Sequence, residues 1–324
     1  MAFVRDRRHL NLTLRLPPPL PAPPVLLPPP LTPSSSISLS DLTTLSVLGH
    51  GNGGTVYKVL HAPTHTLYAL KVLSPSSSSD PVHRRLALRE IDILRRTNSP
   101  FLVRCHAFLD NYHGSGGDSL ALLLEYMDSG SLETFLKNKG TLSESQLAHA
   151  ARQVLNGLVY LHKQKIVHRD IKPANLLVHK GEKEDDEMMV KISDFGVSRI
   201  MARSLDPCNS YVGTCAYMSP ERFDPDTYGV NYDGYAGDIW SLGLTLMELY
   251  LGRFPFLEPG ERPDWATLIC AICFGDPPGL PEGVSEGFRS FLECCLQKES
   301  RKRWTAERLL THPFLTGKDG GQKN

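Results

Sequence analysis

The spacing of apolar residues changes period once along this chain, and that change limits the fold more than any other feature. From about Leu45 to Val59, and again over Leu67–Leu73, apolar residues alternate around glycines, as strands of an antiparallel sheet do. Residues 82–96 carry a helical pattern, and Leu120–Glu125 reads as a further short strand. Beyond Gly130 helical spacing takes over, at Glu144–His162, Asp238–Tyr250 and Ser285–Leu296. A strand-rich first part followed by a helix-rich second part describes an α+β chain of two lobes, with the border near Glu125–Gly130. The folded domain is read as residues 45–315, the first lobe about 45–125 and the second about 130–315. With 41% hydrophobic residues among 324, the chain can bury a large core.

Both ends differ from this body. Ten of the 25 prolines lie between Pro17 and Pro33, followed by Ser34–Ser36, so residues 1–40 are expected to be an extended or disordered tail. Residues 316–324 are rich in Gly and Lys and are expected to be a flexible tail. Lys plus Arg equal Asp plus Glu at 35 each, which gives no basis for bulk binding to nucleic acid or an anionic membrane. No segment reaches the ~18 uninterrupted apolar residues of a membrane helix. The seven cysteines include a C-x-x-C at Cys270 and Cys273. That spacing admits a zinc or redox reading, but both residues sit in the apolar run Leu268–Phe274, where free thiols behave as small buried hydrophobes. The expectation is reduced thiols in the cytoplasm or nucleus.

Four motifs carry chemistry. Gly49-His50-Gly51-Asn52-Gly53-Gly54 joins two strand-like segments. A dinucleotide-binding turn uses similar glycines but needs a helix after the last one. Here Thr55-Val56-Tyr57-Lys58-Val59 alternates as a strand, the pattern of a phosphate-covering hairpin, and Gly49, Gly51 and Gly54 let the backbone approach phosphates without a Cβ. Lys71 lies on the next strand, 15 residues after Val56. A lone strand lysine is ordinarily a solvated charge; with the other motifs it becomes the holder of α- and β-phosphates. Glu90 is its expected helix partner, preferred over Asp92 because Leu86 and Leu94 flank it at i−4 and i+4.

The most specific signal is His168-Arg169-Asp170-Ile171-Lys172-Pro173-Ala174-Asn175. Asp170 is placed to orient an incoming hydroxyl and accept its proton, Lys172 to neutralise charge on the γ-phosphate, and Asn175 to hold Mg²⁺. Asp194-Phe195-Gly196 begins 19 residues after Asn175, and Asp194 is placed as a second oxygen ligand for Mg²⁺. The charged stretch Lys180–Glu187 between them reads as a solvated hairpin tip.

Together these residues resemble the eukaryotic protein kinases over about residues 45–315. The resemblance implies a bilobal fold with an antiparallel sheet and one helix in the first lobe and a mainly α-helical second lobe, with ATP between them. It implies that Leu48, Val56 and Ala69 line the nucleotide pocket, that Leu124 stands at its back, and that adenine meets backbone groups of Glu125 to Met127. It further implies that Glu221 of Ser219-Pro220-Glu221 pairs with Arg303, and that Asp238 braces the His168 loop.

Within the kinases, three features resemble the mitogen-activated protein kinase kinases. Gly53 gives their G-x-G-x-G-G loop. Val212–Arg222 is similar to their substrate-docking segment, with Thr214 expected to contact Asp170 and Lys172. Ser204 and Ser210 are separated by five residues, the spacing of the plant phosphorylation pair, and the wording around them resembles the small group D plant members. The resemblance implies dual specificity for Thr and Tyr of a T-x-Y loop, with a mitogen-activated protein kinase as substrate and a mitogen-activated protein kinase kinase kinase upstream. The plain alternative is that Ser204 and Ser210 are ordinary loop serines. Arg7, Arg8, Leu10 and Leu12, within residues 5–16, resemble a docking motif for substrate kinases; a basic tail and a transit peptide are the competing readings. A Ser/Thr kinase of another cascade tier is a rival function. A non-enzymatic scaffold is disfavoured, because Lys71, Asp170, Asn175 and Asp194 are all in place.

Overall fold

The computed structural model describes residues 37–51, 54–73, 91–114, 117–180, 188–195, 216–224, 233–257, 265–276 and 278–317. Glu90, Ser204, Ser210, Thr214, Arg7, Arg8, Leu10 and Leu12 lie outside these, as do most of the two tails.

The first lobe is a five-stranded antiparallel sheet in the order β1-β2-β3-β5-β4: β1 Leu42–Gly51, β2 Gly54–His61, β3 Thr66–Val72, β4 Cys105–Gly114 and β5 Gly117–Glu125. Its register decides which side chains share a face. Lys71 stands opposite Val56 on one side and Leu122 on the other, and Ala69 stands opposite Leu124. Val56, Ala69, Lys71, Leu122 and Leu124 therefore line one face. The strand β1 is an edge, and its apolar side chains Leu45 and Val47 are half exposed. Residues 91–96 are helical and bury Ile91 and Leu94. Among the elements not anticipated are β4 and the short helix α1 (Leu132–Lys139) that opens the second lobe.

The second lobe is built on two long helices. In α2 (Glu144–Lys163), Leu147, Ala150, Ala151, Val154, Leu155, Leu158 and Leu161 are buried at helical spacing. Its start is fixed by a capping box: Gln146 N donates to Ser143 Oγ at 3.3 Å, and Ser143 N donates to Gln146 Oε1 at 2.9 Å. The hairpin β6 (Leu176–His179) and β7 (Met189–Ile192) packs on α2, so closely that a Cβ on Gly157 would sit 2.8 Å from Ile192 Cδ1. After α3 (Pro220–Phe223), α4 (Gly234–Leu251) runs through the centre of the lobe with 14 buried residues, which is why it is apolar on nearly every side. Asp233 caps its first amides, and Gly252 ends it at φ 76°. A short helix α5 (Trp265–Ile269) continues as π-helix over Cys270–Phe274, followed by α6 (Glu286–Cys295), α7 (Ala306–Leu309) and α8 (Pro313–Thr316). The reading of Cys270 as a buried thiol is corrected here: Cys273 is buried, whereas Cys270 is exposed. The π-helix widens the turn, so the two thiols do not share the inward face. No helix among the described residues is long and apolar enough to cross a membrane.

Candidate active site

The loop between α2 and β6 carries His168–Asn175, and one buried carboxylate shapes it. Asp238, in the first turns of α4, is fully buried and accepts hydrogen bonds from the amides of His168 (3.0 Å) and Arg169 (2.7 Å). His162 Nε2 lies 3.0 Å from the same carboxylate. These bonds hold Arg169 at φ 73°, a left-handed conformation that a non-glycine residue keeps only when its surroundings enforce it. The bend turns Asp170 toward the cleft.

Asn175 binds this loop to itself. Its Nδ2 donates to both the carbonyl and Oδ2 of Asp170, each at 2.8 Å. Both partners are acceptors, so the amide NH₂ must face them and the amide Oδ1 turns away. Lys172 Nζ also donates to Asp170 Oδ2, at 2.8 Å. The other carboxylate oxygen, Asp170 Oδ1, is buried and has no hydrogen-bond partner among the described residues. A buried acceptor left without a donor is costly unless a ligand supplies one.

The β6–β7 register brings Asp194 to this point. Leu176 pairs with Ile192, so the residues just before β6 and just after β7 emerge at the same end of the hairpin. Ser193 fastens them: its amide (2.9 Å) and its hydroxyl (3.0 Å) both donate to the Asn175 carbonyl. Asp194 follows at φ 62°, a second strained non-glycine residue in the same site. From the opposite lobe Lys71 Nζ donates to Asp194 Oδ1. The Lys71 cation holds the Asp194 carboxyl below the usual carboxylate range, outweighing the opposing effect of burial. Phe195 is buried and packs edge-on to His168, ring centroids 5.4 Å apart.

The structure thus gathers Lys71, Asp170, Lys172, Asn175 and Asp194 into one cleft. Leu124, with Leu94, Val103 and Leu122, lines a small cavity beside Lys71 and Asp194. Ala69 and Val56 share the sheet face of Lys71, Leu48 is 45% exposed, and Met127 is buried. Glu125 has structural duties. Its amide donates to the Arg104 carbonyl (2.9 Å), and its carboxylate takes Lys191 (2.6 Å) and the Arg104 amide (3.2 Å). Gly49 is open to added volume, as a phosphate approach requires. Gly54 has a different reason to be glycine: it sits at φ 124°, and a Cβ there would lie 2.0 Å from the Val72 carbonyl oxygen.

Below the site, Arg303 meets Glu221 through two hydrogen bonds of 2.7 and 2.8 Å, both side chains buried. Sequence reasoning anticipated this pair but missed another. Tyr217 donates to Glu248 of α4 and packs on Phe254, and Ser241 Oγ donates to the Tyr217 carbonyl at 2.8 Å. No local spacing signals a pair 31 residues apart.

Residues 42–315 match the protein kinase domain model. The chain is 54% identical over 326 residues to mitogen-activated protein kinase kinase 9 of Arabidopsis thaliana, covering 97% of this chain and 99% of the relative. It is 53% identical to mitogen-activated protein kinase kinase 7 of the same plant, with the same two coverages, and 47% identical to mitogen-activated protein kinase kinase 8, covering 98% and 100%. Among solved structures, the crystal structure of Rad53 1-466 in complex with AMP-PNP superposes with a TM-score of 0.66 at 28% identity, covering 85% of this chain and 66% of that one. Fold and site together define an ATP-dependent protein kinase. Within that class the chain belongs to the plant mitogen-activated protein kinase kinases.

Proposed function

We propose that this kinase transfers the γ-phosphate of ATP to both Thr and Tyr in the T-x-Y activation loop of a mitogen-activated protein kinase. In this reading Ser204 and Ser210 receive phosphate from an upstream mitogen-activated protein kinase kinase kinase, in the cytoplasm and nucleus, and that event switches the enzyme on. The observation that supports the chemistry most is Asp170 Oδ1, buried in the cleft with no hydrogen-bond partner among the described residues.

Asp170 Oδ1 accepts the proton of the substrate hydroxyl as its oxygen forms the new bond to the γ-phosphorus and the bond to ADP breaks. Lys172 moves from Asp170 Oδ2 toward the charge on the transferring group. Lys71 holds the α- and β-phosphates. Asn175 Oδ1 and the Asp194 carboxylate are hard oxygen donors fastened side by side through Ser193, a set that suits Mg²⁺. When bound, Mg²⁺ neutralises charge on the phosphate oxygens. Among the described residues no three His, Cys, Asp or Glu gather as a metal site, in keeping with a cation held by two protein groups and by phosphates.

The switch draws support from Arg169, whose Nε is buried and without a hydrogen-bond partner among the described residues. A phosphorylated Ser204 or Ser210 brings about −1.5 to −2 charge and three acceptor oxygens, enough to satisfy that donor and order the segment. Arg7, Arg8, Leu10 and Leu12 are proposed to dock the substrate kinase as an extended peptide. The test is an in vitro assay of the enzyme with Asp at 204 and 210 against a panel of T-x-Y kinases. Phosphate on both Thr and Tyr of at least one of them is expected. Phosphorylation of a generic basic protein alone would assign the enzyme to another cascade tier. The double Ala variant, after treatment with an upstream kinase, is expected to stay inactive.

A further inference from the structure

A cavity of about 370 Å³ among the described residues is distinct from the nucleotide cleft. It lies between the C-terminal turn of α2, the start of α4 and residues 300–307. Its volume falls in the range of small-molecule sites. Aromatic rings from three segments reach it: His162, Tyr235 and Trp304. The first two are in contact, with centroids 4.8 Å apart.

The charged side chains at its walls already have partners within the chain. Lys163 pairs with Glu307 at 3.1 Å, Arg301 pairs with Glu299 at 2.9 Å, and Asp233 is committed to the first amides of α4. Arg303 spends its guanidinium on Glu221 and on the carbonyls of Ala236, Gln297 and Lys298. A charged ligand would lose hydration there without meeting an unmatched opposite charge. Aromatic walls whose neighbouring charges are already partnered select a flat, uncharged molecule.

One wall residue also acts on the catalytic loop. His162 faces the cavity and lies 3.0 Å from Asp238, and Asp238 holds the amides of His168 and Arg169 beside Asp170. A ligand that shifts the His162 ring therefore alters the acceptor that sets the catalytic backbone. This is a contiguous path of two hydrogen-bonded steps, short enough for coupling to survive.

We propose that this cavity is a binding site for an uncharged, planar aromatic small molecule, and that its occupancy is read by the catalytic loop through His162 and Asp238. The inference concerns the kinase itself and does not depend on which protein it phosphorylates.

The test uses the full chain and two probes of one shape, neutral 2-phenylbenzimidazole and its anionic 5-sulfonate, with binding followed by probe fluorescence in the presence of saturating ADP. The neutral probe is expected to bind, and the sulfonate about tenfold more weakly. Val159→Phe and Ser300→Tyr, which fill the cavity from separate walls, are each expected to weaken the neutral probe about tenfold. At saturation the neutral probe is expected to change kcat for a generic protein substrate about fivefold with the KM for ATP unaltered. Equal affinity for the sulfonate, displacement by ADP, or undiminished binding to either folded variant would overturn the site. An unchanged kcat at saturation would overturn the coupling. Because the substrate is generic, failure of the T-x-Y reading leaves these outcomes intact.

Discussion

Lys71 on β3 and Asp194 beyond β7 stand 123 residues apart in the chain and meet as an ion pair across the cleft. The pair fixes the spacing between the group proposed to hold phosphates and the group proposed to face the cation. It also sets the protonation of Asp194. The carboxyl is held below its ordinary range chiefly by the Lys71 charge, so its share of stability is present above that range and fades as pH falls through the depressed value.

Replacing Lys71 by Met is therefore expected to raise the Asp194 pKa, which a carboxyl-carbon NMR titration would record. The same variant should lose about 10²-fold or more in kcat/KM for ATP, since one positioned cation is removed from the phosphates. A titration of Asp194 unchanged by the substitution would contradict the pairing.

Gly54 makes a second prediction. With φ at 124° and the Val72 carbonyl oxygen 2.0 Å from any added Cβ, Gly54→Ala must move the β2–β3 ladder or its own backbone. The expected cost is about 1–3 kcal/mol for the strain alone, read as a lower midpoint in urea, with a raised KM for ATP. Gly49→Ala, which meets nothing within 4 Å, should leave stability near wild type.

The contrast between these glycines shows what the sequence disclosed. Motif spacing identified Gly54 as a member of a phosphate loop, but the Val72 contact appears only once β2 lies beside β3. Lys71, Asp170, Asn175 and Asp194 were legible because each must be one residue type at a fixed offset for the chemistry to work. Arg303, Glu221 and Asp238 were legible through family resemblance. The strand β4 was not, because two register shifts, at Cys105/Ala107 and Leu109/Tyr112, break the alternation that marks a strand. The helix α1 was missed because it has only eight residues, of which Leu132 alone is buried. The cavity at His162, Tyr235 and Trp304 draws on three distant segments and leaves no local pattern at all.

Arg303 and Glu221 give a stability prediction. Both are buried, and removal of one partner strands the other charge away from water. Arg303→Met or Glu221→Leu alone should cost about 3–5 kcal/mol, while the double apolar variant should recover much of that loss. A double-mutant cycle by urea denaturation checks this; additive losses would count against it.

Glu248 gives a pH prediction. Burial pushes its carboxyl above the usual carboxylate range, partly opposed by the hydrogen bond from Tyr217. A raised folded pKa means a contribution that is full at low pH and lost as pH rises through the folded value. Glu248→Gln keeps an acceptor for Tyr217 and carries no charge. Its Tm relative to wild type should therefore climb as pH rises from the carboxylate range toward neutrality, by about 2 °C or more. A constant difference across that window would refute the assignment.

The central claim is that Asp170 Oδ1 is the proton acceptor of a phosphoryl transfer whose other parts are already assembled around it. Asp170→Asn tests it most directly, in a single experiment that measures nucleotide affinity and turnover together. The account predicts ATP affinity within a few-fold of wild type and a loss of about 10²–10⁴ in kcat. Turnover that survives the substitution at the wild-type rate would contradict it.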